Sequence, residues 1–222
     1  MVLVLLKKLY YFFSGLLRQN GLLWAIHIVS LRFTSLVRSS FAASALNAPG
    51  IFLGGAAKIR GARSIKFGKD IHIGGRVWIE AVTNYAENEY NPAINIGDAV
   101  CFSEGVHISC IESVVVGNNV LLGSHVYISD HGHGDYSGLQ QANPDIPPSK
   151  RKLGGGGRVL IEDNVWIGDN VVVIGPVTIG RGAVIGANAV VCKDIPAATI
   201  AVGAPAKVIK FYDGNSQKWL KV

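Results

Sequence analysis

Acidic residues are absent from the first 69 positions of this 222-residue chain, and Asp70 is the first of them. The same stretch carries ten Lys and Arg residues, whereas the remaining 153 residues carry 11 bases and 15 acids. A basic, apolar N-terminal segment followed by a mildly acidic remainder of the chain predicts contact with an anionic surface. Because these bases stand among Leu, Ile, Phe and Trp, a membrane surface is favoured over nucleic acid. The alternative is that the segment packs on its own protein and that its bases are solvated.

Cysteine and proline are also scarce. The three cysteines, Cys101, Cys110 and Cys192, form no Cys-x-x-Cys pair, which argues against a disulfide framework and favours a reducing compartment. Only eight prolines accompany 27 glycines, a composition that excludes a collagen-like or disordered chain. So many glycines predict a fold with many tight corners.

Long uninterrupted apolar runs are missing as well. Charged or polar residues interrupt every window of ~20 apolar residues, so a membrane-spanning helix is not expected. Residues 1–43 still show helical apolar spacing, and Asn20-Gly21 separates two predicted helices. Lys7 and Lys8 follow the first apolar run, which is not typical of a signal peptide. We therefore predict a helix pair at a membrane surface, on a cytoplasmic protein that is peripheral on the inner face of the membrane.

A different pattern begins near Leu53, where apolar residues recur at every sixth position. A period of six excludes an α-helix and a simple alternating strand, and it predicts a triangular coil of short strands and corners. The predicted fold class is therefore all-β, a parallel β-helix of about six coils behind a helical segment. Cys101 and Cys110 fall in the walls of this coil and are interpreted as structural. The repeat is clearest at Ile161, Ile167, Val173, Ile179, Ile185 and Val191.

The repeat divides the chain into three parts. Residues 1–50 are assigned to the helical segment, residues 51–205 to the coil and residues 206–222 to a C-terminal tail. The largest break in the repeat is an extruded loop at residues 132–159, and a shorter break spans residues 84–95. Loops that leave a rigid solenoid often carry function, which places the predicted active site where the longer loop begins.

A histidine stands at that point. His131 occupies a corner position next to Asp130, and Asp135 and a second histidine, His133, follow it closely. Histidine can act as a general base near neutral pH, so an acid–base role is one interpretation of His131. An ordinary exposed polar residue is the other interpretation that the pattern allows.

Four motifs follow one another in the second half of the chain: Val165-Trp166-Ile167-Gly168, Val177-Thr178-Ile179-Gly180 through Ile185-Gly186-Ala187, Lys193-Asp194-Ile195-Pro196, and Val202-Gly203-Ala204-Pro205-Ala206-Lys207-Val208-Ile209. Together they resemble the galactoside and maltose O-acetyltransferases, which belong to the hexapeptide-repeat acyltransferases. The resemblance covers residues 53–212, and the helical segment more weakly resembles that of surface-polysaccharide acetyltransferases. It implies a left-handed coil and a homotrimer with active sites between subunits. It also implies transfer of an acetyl group from acetyl-CoA to a sugar hydroxyl of a surface polysaccharide or its lipid-linked precursor.

The resemblance further implies roles for individual residues. His131 matches the catalytic base of the family, although Gly132 follows it where the family has Pro, and His133 is the second candidate. Transfer is expected to be direct, with no acyl-enzyme and no metal. The residues that match the family's cofactor site are Trp166, Asp169, Ala187, Cys192, Lys193, Lys207 and Lys210. Proximity to His131 suggests acceptor contacts from Ser103, Glu104, His107, Asp135 and Tyr136.

Three other functions remain open from the sequence. A carbonic anhydrase of the γ type would use His107, His125 and His131 as zinc ligands, but His125 and His131 are six residues apart and so fall on different sides of the triangle. A scaffold without activity would not bind acetyl-CoA. Acetyl transfer to an amine or to serine is the third alternative.

Overall fold

The computed structural model describes residues 2–139 and 141–222, with side chains described from Tyr11 onward. Two helices precede the coil, α1 (Val2–Asn20) and α2 (Leu22–Ala45). Gly21 lies between them with a φ of +74°, a conformation that favours glycine and so explains the predicted break at this point. The side chains of Lys7 and Lys8, which the sequence placed at a membrane surface, lie outside the described part.

The end of α2 covers the open end of the coil. Ala42 is buried against the first coil, and Ser39 Oγ accepts a 2.8 Å hydrogen bond from the N–H of Leu53. The Leu53 N–H belongs to the terminal strand of the coil, and no further strand follows that could accept its hydrogen bond. Ser39 supplies the missing acceptor. None of the helices within the described residues is both long and apolar enough to cross a membrane.

Short strands separated by corners occupy the rest of the chain. In chain order the first are β1 (Phe52–Leu53), β2 (Lys58–Arg60), β3 (Ile65–Phe67), β4 (His72–Ile73), β5 (Trp78–Ala81), β6 (Asn84–Tyr85), β7 (Asn88–Glu89), β8 (Ala93–Ile96), β9 (Cys101–Phe102), β10 (His107–Cys110), β11 (Ser113–Val116) and β12 (Leu121–Leu122). They continue with β13 (Tyr127–Ser129), β14 (Gly132–His133), β15 (Leu153–Gly154), β16 (Val159–Ile161), β17 (Trp166–Ile167), β18 (Val172–Ile174), β19 (Val177–Ile179), β20 (Val184–Ile185), β21 (Val190–Val191), β22 (Thr199–Val202), β23 (Lys207–Asp213) and β24 (Lys218–Lys221). Two 3-10 turns lie at Ala62–Ser64 and Pro148–Lys150.

These strands form the three walls of a coil. The first sheet has the order β1-β4-β9-β12-β17-β20-β22-β23-β24, the second β2-β5-β10-β13-β18-β21, and the third β3-β8-β11-β16-β19. Every pair in the second and third sheets is parallel, as are the pairs from β1 to β22 in the first. The chain therefore visits the three walls in turn, as the six-residue period predicts.

The predicted inward positions form the core. Ile73, Phe102, Leu122, Ile167 and Ile185 align in register across the first sheet and are all 0% exposed. Similar columns of apolar side chains in all three walls exclude water from the interior. Each repeat is too short to form a core alone, but the stacked repeats share one continuous core.

Polar residues at the corners hold successive coils together. Asn119, Asn164, Asn170 and Asn188 adopt positive φ values of 55–61°, a conformation that asparagine tolerates better than most residues. Asp163 Oδ1 accepts a 2.7 Å hydrogen bond from the N–H of Asn118 in the preceding coil. The Asn and Asp residues that recur between the apolar positions of the sequence therefore stabilise the corners of the coil.

The sequence assigns residues 206–222 to a C-terminal tail, and this segment has a regular structure. It forms β23 and β24, which pair antiparallel with each other and extend the first sheet beyond β22. This hairpin covers the edge of the last parallel strand, an edge that would otherwise expose unpaired backbone groups.

Candidate active site

His131 follows the end of β13 and is held by its neighbour in the chain. Its Nδ1 atom lies 2.8 Å from Asp130 Oδ1, and its side chain is only 7% exposed. Of the two interpretations that the sequence left open, the ordinary exposed polar residue does not fit, because the imidazole is largely covered. Ser129 Oγ contacts both the backbone N–H of His131, at 3.2 Å, and its carbonyl oxygen, at 2.9 Å, and so fixes the backbone at this position.

The Asp130 carboxylate is buried at the corner of the preceding coil. Oδ1 accepts a hydrogen bond from the N–H of Ile111, and Oδ2 accepts from the N–H groups of Glu112 and Ser113, all at 2.8–2.9 Å. Burial raises the pKa of Asp130, but the hydrogen bonds from His131 and these backbone groups outweigh burial and hold the pKa below its usual range. Asp130 is therefore an anion that takes no further proton near neutral pH.

This anion determines which nitrogen of His131 is available. Because an ionised carboxylate can only accept hydrogen bonds, Nδ1 of His131 must carry the proton that points at Asp130. Nε2 then holds the lone pair, and it faces Ser109 Oγ at 3.5 Å. The pair has the geometry of a general base whose second nitrogen is oriented by a carboxylate.

Cys110 lies on the other side of the same carboxylate. Its Sγ is 3.2 Å from Asp130 Oδ2, and burial followed by the Asp130 charge raises the pKa of the thiol well above its ordinary value. A thiol kept protonated in this way is a poor nucleophile.

A stack of aromatic rings adjoins His131 on the outer face of the second sheet. His107 stacks on Trp78 with ring centroids 4.3 Å apart and meets Tyr127 edge-on at 5.3 Å. Burial lowers the pKa of His107, the Glu80 carboxylate opposes this shift, and nearby His131 adds to it. Trp78 Nε1 and His107 Nε2 are buried and have no hydrogen-bond partner among the described residues.

The two breaks in the repeat pack on each other beside this face. Tyr85, from the hairpin of β6 and β7, places its hydroxyl 3.2 Å from His133 Nδ1 and donates to the carbonyl of Ser149 at 3.0 Å. The hydroxyl of Tyr90 accepts a hydrogen bond of 2.9 Å from the N–H of Leu153. Both ends of the long loop are therefore attached to the shorter break at residues 84–95.

The glycine run at the end of the long loop permits a close approach of the chain to Asp130. A Cβ at Gly156 would collide with the carbonyl oxygen of Asp130, whereas a Cβ at Gly154 would meet no atom within 4 Å. Gly157 N–H also donates a 2.9 Å hydrogen bond to the carbonyl of Asp130. The returning chain thus lies directly against the backbone of Asp130.

The expected acceptor residues are spread over three places. Ser103 and Glu104 lie at the corner before β10, where Glu104 pairs with Arg76 at 2.9 Å, so they stand at the opposite end of β10 from Ser109. Of the five expected residues, His107 is the one that lies beside His131. Asp135 and Tyr136 belong to the long loop, where the Tyr136 hydroxyl donates to the carbonyl of His133 and accepts from Arg151.

The expected cofactor residues occupy two separate surfaces. Trp166 is 52% exposed on the first sheet. Asp169 and Ala187 lie at the adjacent corner, where the carbonyl of Asp169 accepts a hydrogen bond from the N–H of Asn188, the residue after Ala187. Lys207 and Lys210 lie on β23 of the same sheet. Cys192 and Lys193 are exposed at the corner that follows β21 of the second sheet.

Known proteins resemble this chain in sequence over most of its length. The model of the bacterial transferase hexapeptide family, which describes six repeats, matches residues 158–193. A putative lipopolysaccharide biosynthesis O-acetyl transferase of Escherichia coli, WbbJ, is 38% identical over 164 residues, which are 73% of this chain and 80% of that protein. The chain belongs to the hexapeptide-repeat acetyltransferases. The galactoside O-acetyltransferase of Escherichia coli is 33% identical over 138 residues, which are 62% of each chain.

Solved structures show the same fold. The N-acyltransferase AntD from Bacillus cereus, solved with a dideoxyamino sugar nucleotide and coenzyme A, superposes with a TM-score of 0.60 at 19% identity and covers 76% of this chain and 84% of its own. PerB from Caulobacter crescentus superposes with a TM-score of 0.51 at 20% identity, covering 78% and 65%. Together with the repeat, this likeness identifies the coil as the left-handed β-helix of these acyltransferases, and the family resemblance read from the motifs is confirmed.

The sequence shows Asp130 only as a carboxylate next to His131, and this adjacency is the one signal in the sequence that points to its role. For the zinc alternative, the described part of the chain contains no cluster of three His, Cys, Asp or Glu side chains arranged to hold a metal ion. His125 occupies a corner with a φ of +58°, at the opposite end of β13 from His131.

Proposed function

We propose that this acetyltransferase moves an acetyl group from acetyl-CoA to a sugar hydroxyl, with His131 as the general base. The observation that carries the proposal is the 2.8 Å contact between Asp130 Oδ1 and His131 Nδ1, because it leaves the lone pair of Nε2 for the acceptor. Its relatives support the substrate class, since two of them are named as O-acetyltransferases of lipopolysaccharide and galactoside.

The reaction then proceeds by direct transfer. His131 Nε2 takes the proton of the acceptor hydroxyl while the oxygen attacks the thioester carbonyl. A backbone N–H group stabilises the oxyanion of the tetrahedral intermediate. When the intermediate collapses, the C–S bond breaks and the departing thiolate receives the proton from the imidazolium. Asp130 stabilises that imidazolium throughout, because its carboxylate stays ionised.

The register of the first sheet supports a cofactor track parallel to the coil axis. Trp166 aligns with Val184, Ile200 and Lys210 on successive strands. At about 4.8 Å per strand, Lys210 lies about 14 Å from Trp166, a distance suited to an extended pantetheine arm that ends near phosphates. Lys207 and Lys210 would hold those phosphates as point charges rather than as bidentate partners.

A homotrimer would join the two cofactor surfaces. Trp166 and Lys210 lie on the first sheet, whereas Cys192 and Lys193 follow the second sheet, so one coil presents them in different directions. We propose that one subunit supplies the first surface and its neighbour the second. The unpartnered Nε2 of His107 and Nε1 of Trp78 support the same arrangement, because buried polar atoms normally find a partner, here the acceptor or the adjoining subunit.

Turnover of acetyl-CoA with a panel of mono-, oligo- and amino-sugars, read by product mass, tests the substrate class. His131→Ala should lower turnover by at least ~100-fold while acetyl-CoA binding, measured by calorimetry, is retained. His133→Ala is the matched variant, because His133 is two residues away and bonded to Tyr85. Normal turnover in His131→Ala would remove the proposed base, and acetylation of amines alone would contradict the hydroxyl acceptor.

A further inference from the structure

α2 turns its large apolar side chains away from the protein. Its buried residues, Ala25, Ser39 and Ala42, are small and face α1 and the coil. On the opposite side, large apolar residues recur at intervals of three or four, which places them on one face of the helix. These side chains, called here the outer stripe, are 38–75% exposed: Leu22, Ile26, Val29, Phe33, Val37 and Phe41.

This orientation is the reverse of that of an ordinary surface helix, which buries its large apolar face and exposes polar residues. From Leu22 to Phe41 the outer stripe runs about 28 Å at 1.5 Å per residue. Exposed apolar patches of this extent mark contacts with another protein or a membrane.

The charge around the outer stripe indicates which of these it contacts. Arg18, Arg32 and Arg38 belong to the two helices, and Arg32 lies 4.5 Å from the centroid of the Phe12 ring. No acidic residue precedes Asp70 in the chain. The ion pairs that the structure shows in its described part all lie in the coil, so neither helix takes part in them.

We propose that the outer stripe docks on the surface of an anionic lipid bilayer, with α2 lying parallel to the surface and the arginines contacting lipid headgroups. Apolar residues that enter the headgroup boundary and bases that meet anionic lipids are the two requirements of an interfacial helix. Contact with the same helix of a second subunit fits less well, because it would bring together like charges with no carboxylate between them.

Vesicle sedimentation of the full-length protein tests this docking. The protein should sediment with vesicles of phosphatidylcholine containing about one-third phosphatidylglycerol, and much less with phosphatidylcholine alone. Binding should weaken as NaCl is raised from about 0.05 M to about 0.5 M, because salt screens the headgroup charge.

Two sets of variants separate the apolar and the charged contributions. Ile26→Ser/Phe33→Ser should weaken binding to anionic vesicles by at least ~10-fold, since two apolar side chains of the outer stripe are lost. Arg18→Gln/Arg38→Gln should reduce the preference for anionic lipid. Ile209→Ser is the matched control, because Ile209 is also exposed, at 42%, but lies on β23. Circular dichroism, expected to be unchanged, shows that all the variants are folded. Turnover on a free sugar should be unchanged in the two helix variants, Ile26→Ser/Phe33→Ser and Arg18→Gln/Arg38→Gln.

Three outcomes would overturn the proposal. They are no sedimentation of the wild-type protein with anionic vesicles, full binding by Ile26→Ser/Phe33→Ser, or equal loss in Ile209→Ser. A change of the double variant from oligomer to monomer in light scattering, with vesicle binding retained, would identify a second copy of the chain as the occupant. Turnover is measured without vesicles, so failure of the docking leaves the proposed acetyl transfer intact, and the reverse also holds.

Discussion

Replacing Asp130 by Asn changes one atom of the side chain and removes the charge that orients His131. The carboxylate accepts hydrogen bonds from the backbone of Ile111, Glu112 and Ser113, from the Cys110 thiol and from His131. An amide has one acceptor oxygen, so its NH₂ group must face one of the two sets of donors.

The less costly orientation follows from the distribution of those donors. Oδ2 serves two backbone N–H groups and the thiol, whereas Oδ1 serves the N–H of Ile111 and Nδ1 of His131. The NH₂ group is therefore expected to replace Oδ1, which leaves the Ile111 N–H unpaired at a cost of about 1–3 kcal/mol in unfolding free energy. It would also donate to Nδ1 of His131 and so move the ring proton to Nε2.

A ring protonated at Nε2 cannot accept the proton of the acceptor hydroxyl. We expect turnover of Asp130→Asn to fall by about 10²–10⁴-fold, the range that a general base supplies. Nitrogen NMR of the labelled imidazole should show the change of tautomer directly. Asp98→Asn is the control, because Asp98 also accepts a backbone hydrogen bond, 3.0 Å from Lys69 N, but at a corner remote from His131.

The loss of stability should depend on pH in a defined direction. The pKa of Asp130 is lowered in the folded protein, so its contribution is present above the unfolded value of about 3.9 and is lost as pH falls through the folded value. The difference in unfolding free energy between the wild type and Asp130→Asn should therefore shrink only below about pH 4. Wild-type turnover and an unchanged tautomer in Asp130→Asn would refute the assignment of this carboxylate as the residue that orients His131.

Two further predictions concern the surroundings of this pair. Gly156→Ala should displace the end of the long loop from Asp130 and lower turnover, whereas Gly154→Ala, at a position with open space, should leave turnover and the melting temperature unchanged; equal effects would contradict the close approach. The lowered pKa of His107 means that the unfolded chain binds its proton first, so stability should fall as pH drops below about 6.5. His107→Phe, which keeps a ring beside Trp78, should remove that part of the pH dependence between about pH 7.5 and about pH 5.5 in denaturant titrations. An identical pH dependence in the variant would show that His107 is not its source.

The sequence was sufficient for features that depend on local period. Apolar residues at every sixth position predict a coil with three walls, and Asn20-Gly21 predicts the break between α1 and α2. Both predictions are possible because each pattern involves residues that are close together in the chain. The motifs around Trp166 and Lys193 likewise identify the family without coordinates. The break in the repeat at the long loop makes His131 the candidate base by its position.

Only the tertiary structure could decide how separate coils meet. The backbone groups that hold Asp130 come from residues 17–19 positions earlier, and their arrival at its carboxylate depends on the length of each intervening coil. The same dependence divides the expected cofactor residues between two surfaces. The outward direction of the outer stripe is also tertiary in origin, because a helical period shows that a face exists, whereas packing of the small face of α2 on the coil decides where the large one points.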